Sequence, residues 1–450
     1  MKRLLSGILA LLCFSALAHA DERTLSINDA LSLAMKGNPE LRAFDNSVSA
    51  AGEDIGIARS NLLPKINFEE RFMRTTNPTL AFAAKLNQER FTTADFAIPS
   101  LNNPDAINDF QTSISFEQPL YVRKAYIGLK MAKQEFSAKQ EDLTRKKEEV
   151  AFNIIRTALM INSSGEFVEA AKKGVEDAKE HLRLAELRYD AKLGLYSDVL
   201  RARTLVAESE QRLISAKKNH SMAKRTLGLL LGLTEPVSIM GDTPQLELKS
   251  VDHYSQVSLS RKDIKSLQMR YDNAKNNIEL AKSDYYPMIG LGGAYMLNDH
   301  DTPFGGEGNS WQVSAFLRWS IFDGTLRKHE TAKAKYKALE AAEYLEGLKK
   351  TVSYKIHEAY LGVEEAKKNA ELSEAAVKTA EEGERLVRAR YENSLSPIID
   401  LLDAQVSLDN ARANVVVKKN EYRTAVANLS YESGTLLKDL NLDSAAGGMK

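Results

Sequence analysis

A single cysteine, Cys13, occurs in the 450 residues, and it falls inside an apolar stretch at the start of the chain. Leu12 stands before it, where an acylated cysteine requires a small residue, so a lipid anchor is not expected there. Beyond that stretch no disulfide and no thiolate metal site is possible. Tryptophan is nearly as scarce, at two residues, and no proline interrupts the run from Val122 to Lys192. An excess of charge is also missing: Lys plus Arg equals Asp plus Glu at 61 each, so nothing draws the chain toward nucleic acid. Mean hydropathy of −0.34 with 43% hydrophobic residues excludes a multi-helix membrane protein. A barrel of alternating strands escapes that test, because its two faces average out.

What is present begins with an export signal. Lys2 and Arg3 lead, Leu4 to Leu17 are apolar, and Ala18-His19-Ala20 forms a small-x-small cleavage site before Asp21. The apolar run is too short for a spanning helix. The mature chain is expected to start after residue 20.

The chain then repeats itself. Arg188-Tyr189, Leu193, Asp198, Leu200 and Ala202 return as Arg390-Tyr391, Leu395, Asp400, Leu402 and Ala404, a constant offset of 202 positions that persists to Gly232 and Gly434. A heptad seam follows each copy: Val199, Val206, Leu213, His220 and Leu227 in the first, and Leu401, Leu408, Val415, Tyr422 and Leu429 in the second. A seven-residue period held this long implies supercoiled helix packing. Each half therefore carries a long helical hairpin.

The front of each half is related too. Ser26-Ile27-Asn28-Asp29 and Ser260-Arg261-Lys262-Asp263 both read as capping boxes. Helices follow, halted by Pro64 and Pro287. Past each proline the period falls to two. Ile66, Phe68 and Phe72 alternate with polar residues, as do Phe110, Ile114 and Phe116; Ile289, Leu291 and Tyr295 alternate with glycines. Trp311, Val313, Ala315, Leu317, Trp319 and Ile321 share one face of a fourth strand. Strands of about ten residues are long enough to cross a bilayer at a tilt. Alternation alone favours a soluble sheet. Trp311 and Trp319 favour the membrane, since a tilted strand sets them roughly 19 Å apart along the normal, near the spacing of two aromatic girdles.

The proline-free run spans about seventy residues, or roughly 105 Å of helix, which needs neighbours along its whole length. The expected organisation is a signal peptide (1–20), a first repeat (21–234) and a second repeat (257–436), with 235–256 joining them and 437–450 as a tail. Strands are expected near 65–75, 110–121, 288–297 and 310–322, with hairpins near 122–232 and 325–434. The stretch from Asn77 to Asn108 reads as a long loop.

Chemistry is hard to find. Among His181, His220, His253, His300, His329 and His357 no pair has metal-ligand spacing, and no nucleophile elbow occurs. Gly290-Leu291-Gly292-Gly293 lacks the third spaced glycine of a nucleotide loop and leads into no helix. No catalytic residue, cofactor or metal site is expected, and the chain does not read as an enzyme.

A signal peptide followed twice by helix, strand pair and helical hairpin resembles the TolC family of outer-membrane efflux proteins. The stretches LSINDALSLAMKGNPELRA, ARSNLLPKI, ISFEQPLY, RYDAKLGLYSDVLRA and RYENSLSPIIDLLDAQ carry the likeness, which covers nearly the whole mature chain. It implies a mostly α-helical trimer with a transmembrane β-barrel part: four strands per protomer in a shared barrel, and long antiparallel coiled-coil helices forming a periplasmic tunnel. It implies a homotrimer in the outer membrane of a Gram-negative bacterium, in contact with lipid and joined to a periplasmic adaptor and an inner-membrane transporter. By that likeness Ser197, Asp198 and Tyr391 fall at a gate and Asp400 and Asp403 at a constriction. Leu193-Gly194-Leu195 and Leu395-Ser396-Pro397 fall at adaptor-contact tips. Ser396 departs from the family pattern, which has an arginine there, so the salt-bridge part of a closed latch is not expected. The implied role is passive exit of small molecules such as drugs or metals. A protein-secretion duct is the alternative, and a periplasmic adaptor or structural coiled coil a more distant one.

Overall fold

Ser26 starts the first helix by accepting the Asp29 amide at 3.1 Å, satisfying a donor that has no partner within the helix. The computed structural model describes residues 23–241 and 248–440. The expected signal peptide therefore lies outside the described residues, as does the tail beyond Leu440. Short strand β1 (Arg23–Leu25) precedes α1 (Ile27–Gly37) and α2 (Pro39–Ser60). Next come β2 (Lys65–Thr75), α3 (Pro78–Asn87), α4 (Ile98–Asn102) and β3 (Ile107–Tyr121). The long α5 (Arg123–Asp190) turns into α6 (Tyr196–Leu230). The rest comprises β4 (Val237–Ile239), α7 (Val251–Ser258), α8 (Lys262–Lys282), β5 (Met288–Asp299) and β6 (Gly308–Arg318), then α9 (Leu326–Glu392), α10 (Ile398–Ser433) and α11 (Leu436–Asp439). The chain is mostly α-helical. None of the helices is long and apolar enough to cross a membrane among the described residues.

Two compact units result. The first takes in residues up to Asn46, Glu141–Lys265 and the chain from Gly347 onward. Its core is built on helical spacing: Ile27, Ala30, Leu31 and Ala34 fall on one stripe of α1 and pack with Val150, Ile154, Ala158 and Ile161 of α5. Leu227 and Leu231 from the end of α6 join them, with Leu436 and Leu437 of α11. Burying each large aliphatic side chain contributes about 1.5–3 kcal/mol. Gly232 (φ 77°) follows α6 in the left-handed region, and a Cβ there would stand 2.5 Å from the Gly37 carbonyl oxygen. Asn38 caps α2 through the Glu40 and Leu41 amides and donates to the Leu230 carbonyl oxygen. Strand β1 pairs in parallel with β4, so the stretch expected to be a plain connector contains a strand and most of α7.

The seams behave partly as the heptads imply. Val199, Leu227, Leu401, Leu408 and Leu429 are buried, but in the middle of α10 Val416 replaces Val415 as the buried residue. His220 is half-buried, and its Nδ1 lies 2.9 Å from the Ser164 hydroxyl. The expected capping box at Ser260 is not made. Its hydroxyl donates to the nearer Val257 carbonyl oxygen, and Asp263 is drawn to Arg261 at 2.8 Å.

The second unit, Ser47–Gln140 and Ser266–Glu346, holds one antiparallel sheet in the order β2-β3-β5-β6. Its register sorts the side chains by chemistry. Phe68, Ile114, Tyr295 and Trp311 form one cross-strand row, and Ile66, Phe116 and Val313 lie in the next apolar row. Rows of the opposite parity bring Asn67, Ser115 and Gln312 together, and Glu69, Ser113 and Ser310. Gly290 and Gly293 lie under the Phe316 and Phe116 rings, where a Cβ would come within 2.5 Å and 2.4 Å of ring carbons. The glycine cluster therefore serves strand packing.

Some boundaries differ from the sequence reading. Strand β6 ends at Arg318, so Trp319 and Ile321 lie beyond it. Pro287 deprives the partner strand of a donor at that end. Arg327 then takes the Ser320 and Ile321 carbonyl oxygens at 2.8 and 2.9 Å, and the Trp319 indole donates to the Tyr285 carbonyl oxygen. The stretch from Asn77 to Asn108 is no plain loop. Asn77 caps α3, and Phe82, Phe91 and Phe96 stack edge to face between α3 and the 3-10 turn Thr93–Phe96.

Candidate functional site: the paired helical tips

Both hairpin tips in the first unit are made by the same backbone device. At the end of α5, Lys192 adopts φ 62°, its amide bonds the Tyr189 carbonyl oxygen, and the Leu193 amide reaches back to that of Arg188. At the end of α9, Ser394 adopts φ 60°, bonds Tyr391, and Leu395 reaches back to Arg390. Each is a Schellman closure of a helix C-terminus. Gly194 follows the first in a place where a Cβ would crowd Arg188 and Tyr189 at 3.2–3.3 Å.

The tips share a small apolar core of Ala185, Val199, Ala202, Tyr391, Ile398 and Leu401. Tyr391 is 3% exposed, whereas Tyr189, its counterpart in the first tip, is 37% exposed. Burial pushes the Tyr391 phenol above its usual value; the Arg188 charge opposes this and that of Asp198 adds to it. Arg188 spans the two tips. One guanidinium nitrogen donates to the Tyr391 carbonyl oxygen at 2.8 Å, the other to the Ser394 hydroxyl at 2.8 Å. The guanidinium also lies 4.8 Å from the Tyr391 ring centroid.

Among the described residues no hydrogen bond joins Ser197 or Asp198 to Tyr391 within this chain; Asp198 is half-buried and Ser197 exposed. Asp400 and Asp403 are exposed on one face of α10, one helical turn apart. Asp400 lies in that helix's first turn, where the positive end of the helix dipole favours a negative charge. Leu193, Leu195 and Leu395 are 69%, 68% and 69% exposed at the turns, an apolar surface with no cover in the single chain. Gly194 is half-buried and Pro397 exposed, and the Ser396 hydroxyl is buried without a partner among the described residues.

Sequence reasoning missed Arg188 as a cross-tip contact, though the Arg-Tyr pair was visible in both copies. It also missed a polar cluster farther along the same hairpins. His181 and Gln405 are fully buried and 3.0 Å apart, and Gln405 donates to Asp409 at 2.8 Å and to Asp177 at 3.3 Å. Arg412 pairs with Asp177 at 2.8 Å. Burial raises the Asp409 carboxyl above the usual range, against the Gln405 hydrogen bond and the charges of Arg212 and Arg412. A cavity of about 210 Å³ opens beside Asp409, lined by Phe167, Gly174, Ser209 and Arg212. The bonds of His181 and Asp177 to Gln405 and Arg412 join α5 to α10.

Known proteins resemble this chain over most of its length. A family model described as outer membrane efflux protein matches residues 30–233 and 253–435. The outer membrane protein TolC of Vibrio cholerae is 22% identical over 432 residues, covering 92% of each chain. The alkaline protease secretion protein AprF of Pseudomonas aeruginosa is 20% identical, covering 99% of this chain and 92% of its own. Among solved structures, the Campylobacter jejuni CmeC outer membrane channel superposes with a TM-score of 0.76 at 18% identity, over 94% of this chain and 90% of that one.

Proposed function

The chain belongs to the outer membrane efflux protein family, and from that premise we propose that three copies assemble into one channel through the outer membrane. Its role is transport in the outer membrane, not catalysis. The observation that carries the trimeric reading is the sheet. Phe68, Ile114, Tyr295 and Trp311 form an apolar row that is 46–74% exposed, and among the described residues β2 and β6 each leave an edge unpaired. An exposed apolar face of this size requires a cover. Open edges are not tolerated in lipid, and three copies closing into a twelve-stranded barrel remove them. Apolar rows then face lipid, with Trp311 and Trp319 at the two girdles, and polar rows line the lumen.

The four long helices of each copy form the periplasmic tunnel in this reading. The matching closures at Lys192 and Ser394 support two structural repeats, 21–234 and 257–436, joined by 235–256, after a signal peptide at 1–20 and before a tail at 437–450. Arg188, Ser197, Asp198 and Tyr391 form the gate, and three copies of Asp400 and Asp403 ring the constriction. The exposed leucines at 193, 195 and 395, with Gly194, Ser396 and Pro397, receive a periplasmic adaptor, which couples the channel to an inner-membrane transporter.

The cargo is small molecules expelled by that transporter. The match to a protein named for alkaline protease secretion supports a second reading, export of a protein. Reconstitution in a planar bilayer tests the channel: discrete conductance steps are expected, and folded protein that never conducts contradicts it. Deleting the gene separates the cargoes. Raised susceptibility to drugs or metals supports efflux, and loss of a secreted protein with unchanged susceptibility supports secretion.

A further inference from the structure

We propose that Asp299, His300 and Glu307, at the turn between β5 and β6, form a binding site for a divalent transition-metal ion of the zinc class. One donor atom from each of the three lies within 4.8 Å of the others. Ligands of a single zinc ion stand roughly 3–4 Å apart, so small side-chain rotations close the set. An imidazole with two carboxylates suits zinc better than magnesium or calcium, which prefer all-oxygen shells.

Carboxylates flank both nitrogens of the imidazole. His300 Nε2 lies 3.0 Å from the Asp301 carboxylate, and Nδ1 lies 2.6 Å from that of Glu307. Metal-bound histidines characteristically donate their other N–H to a carboxylate, which fixes the ring and the tautomer. Nδ1–H donates to the Glu307 carboxylate, so an ion binding between Nδ1, Glu307 and Asp299 would displace that one proton, with Asp301 lying beside Nε2. Asp299 is 7% exposed and pre-set as well: its Oδ1 accepts the Asp301 and Thr302 amides at 2.8 and 2.9 Å. Gly305 makes room for it, since a Cβ there would stand 2.1 Å from Asp299 Oδ2. Histidine spacing alone could not reveal the site, because only one histidine takes part.

The ion would tie the end of β5 to the start of β6 and brace the turn between them. That turn already leans on β2, with Phe304 stacked on Phe68 and its amide bonded to Glu70.

The test uses the full-length protein in detergent, stripped with a chelator and dialysed against Zn²⁺, with Mg²⁺ as the comparison. One zinc per chain is expected, with Mg²⁺ not competing. His300→Ala, Glu307→Gln and Gly305→Ala should each weaken binding at least tenfold, whereas Asp400→Asn with Asp403→Asn, which removes the other carboxylate cluster, should leave it in place. No zinc on the wild type, or equal binding by His300→Ala, overturns the site. Carbethoxylation of the wild type gives a reading that needs no variant. Zinc should protect His300 while His253 and His357 stay reactive, and equal modification of His300 with and without zinc refutes the assignment.

Discussion

The Arg188 guanidinium donates to the Tyr391 carbonyl oxygen at 2.8 Å, tying the end of one long helix to the end of another 203 positions away. A hydrogen bond from a charged donor contributes about 1.5–3 kcal/mol, and about 1.4 kcal/mol is a tenfold change in an equilibrium. Arg188→Ala should therefore shift the closed–open balance of the tips roughly tenfold or more toward open. Single-channel recordings should show a larger mean conductance, and cells should become sensitive to large antibiotics. Arg188→Lys, which cannot reach Tyr391 and Ser394 with one planar fork, should fall in between. An alanine variant with wild-type conductance would remove Arg188 from the gate.

Three copies of Asp400 and Asp403 place six carboxylates on one rim of the proposed channel. Rings of this kind select cations. Asp400→Asn with Asp403→Asn should reduce cation selectivity, read as reversal potential in a salt gradient, and relieve block by a trivalent cation added from the tip side. Assembly should be untouched, since neither side chain is in an ion pair among the described residues. Unchanged selectivity and block would make both aspartates ordinary surface residues.

Trp311 and Gln312 are neighbours on opposite faces of β6, Trp311 in the apolar row with Tyr295 and Gln312 in the polar row with Ala294. A lysine or arginine facing lipid costs about 2–4 kcal/mol at the bilayer midplane and about 0–1 kcal/mol near the interfaces, where the girdle lies, and an aspartate costs less. Trp311→Asp, which also removes the girdle ring, should lower the yield of assembled protein in the outer-membrane fraction measurably, while Gln312→Asp changes it little. The reverse order would exchange the two faces.

Asp263 gives a pH test. Burial acts to raise its carboxyl, but the hydrogen bond and charge of Arg261 outweigh it and hold the group below the usual 3.8. A depressed carboxyl contributes stability that is full above 3.8 and is lost as pH falls through its folded value. Asp263→Asn should cost about 1.5–3 kcal/mol at pH 7. The gap from wild type in helical unfolding should shrink as pH drops below 3.8. A gap that stays constant to pH 2 would mean the charge is not what Arg261 recognises.

Features set by neighbouring residues were legible in the sequence. The Ser26 cap, the strand alternation and both tip turns depend on a few adjacent side chains and on backbone chemistry. Where a local rule failed, a closer or stronger partner had intervened. Ser260 bonds Val257 instead of capping α8, and Arg327 draws the chain after Arg318 out of the sheet. Arg188 with Tyr391, and Gln405 with His181, join residues more than 200 positions apart, which no local period encodes. Asp299, His300 and Glu307 sit closer in sequence, yet only the turn between β5 and β6 brings their donor atoms together.

The central claim is that this sheet is one third of a closed barrel. Light scattering of the detergent-extracted protein, with the detergent contribution subtracted, gives the number of chains per particle. The expected result is three chains of about 50.0 kDa each, less the signal peptide proposed at 1–20. A monodisperse single chain that keeps its full strand content and remains soluble in detergent would contradict the account.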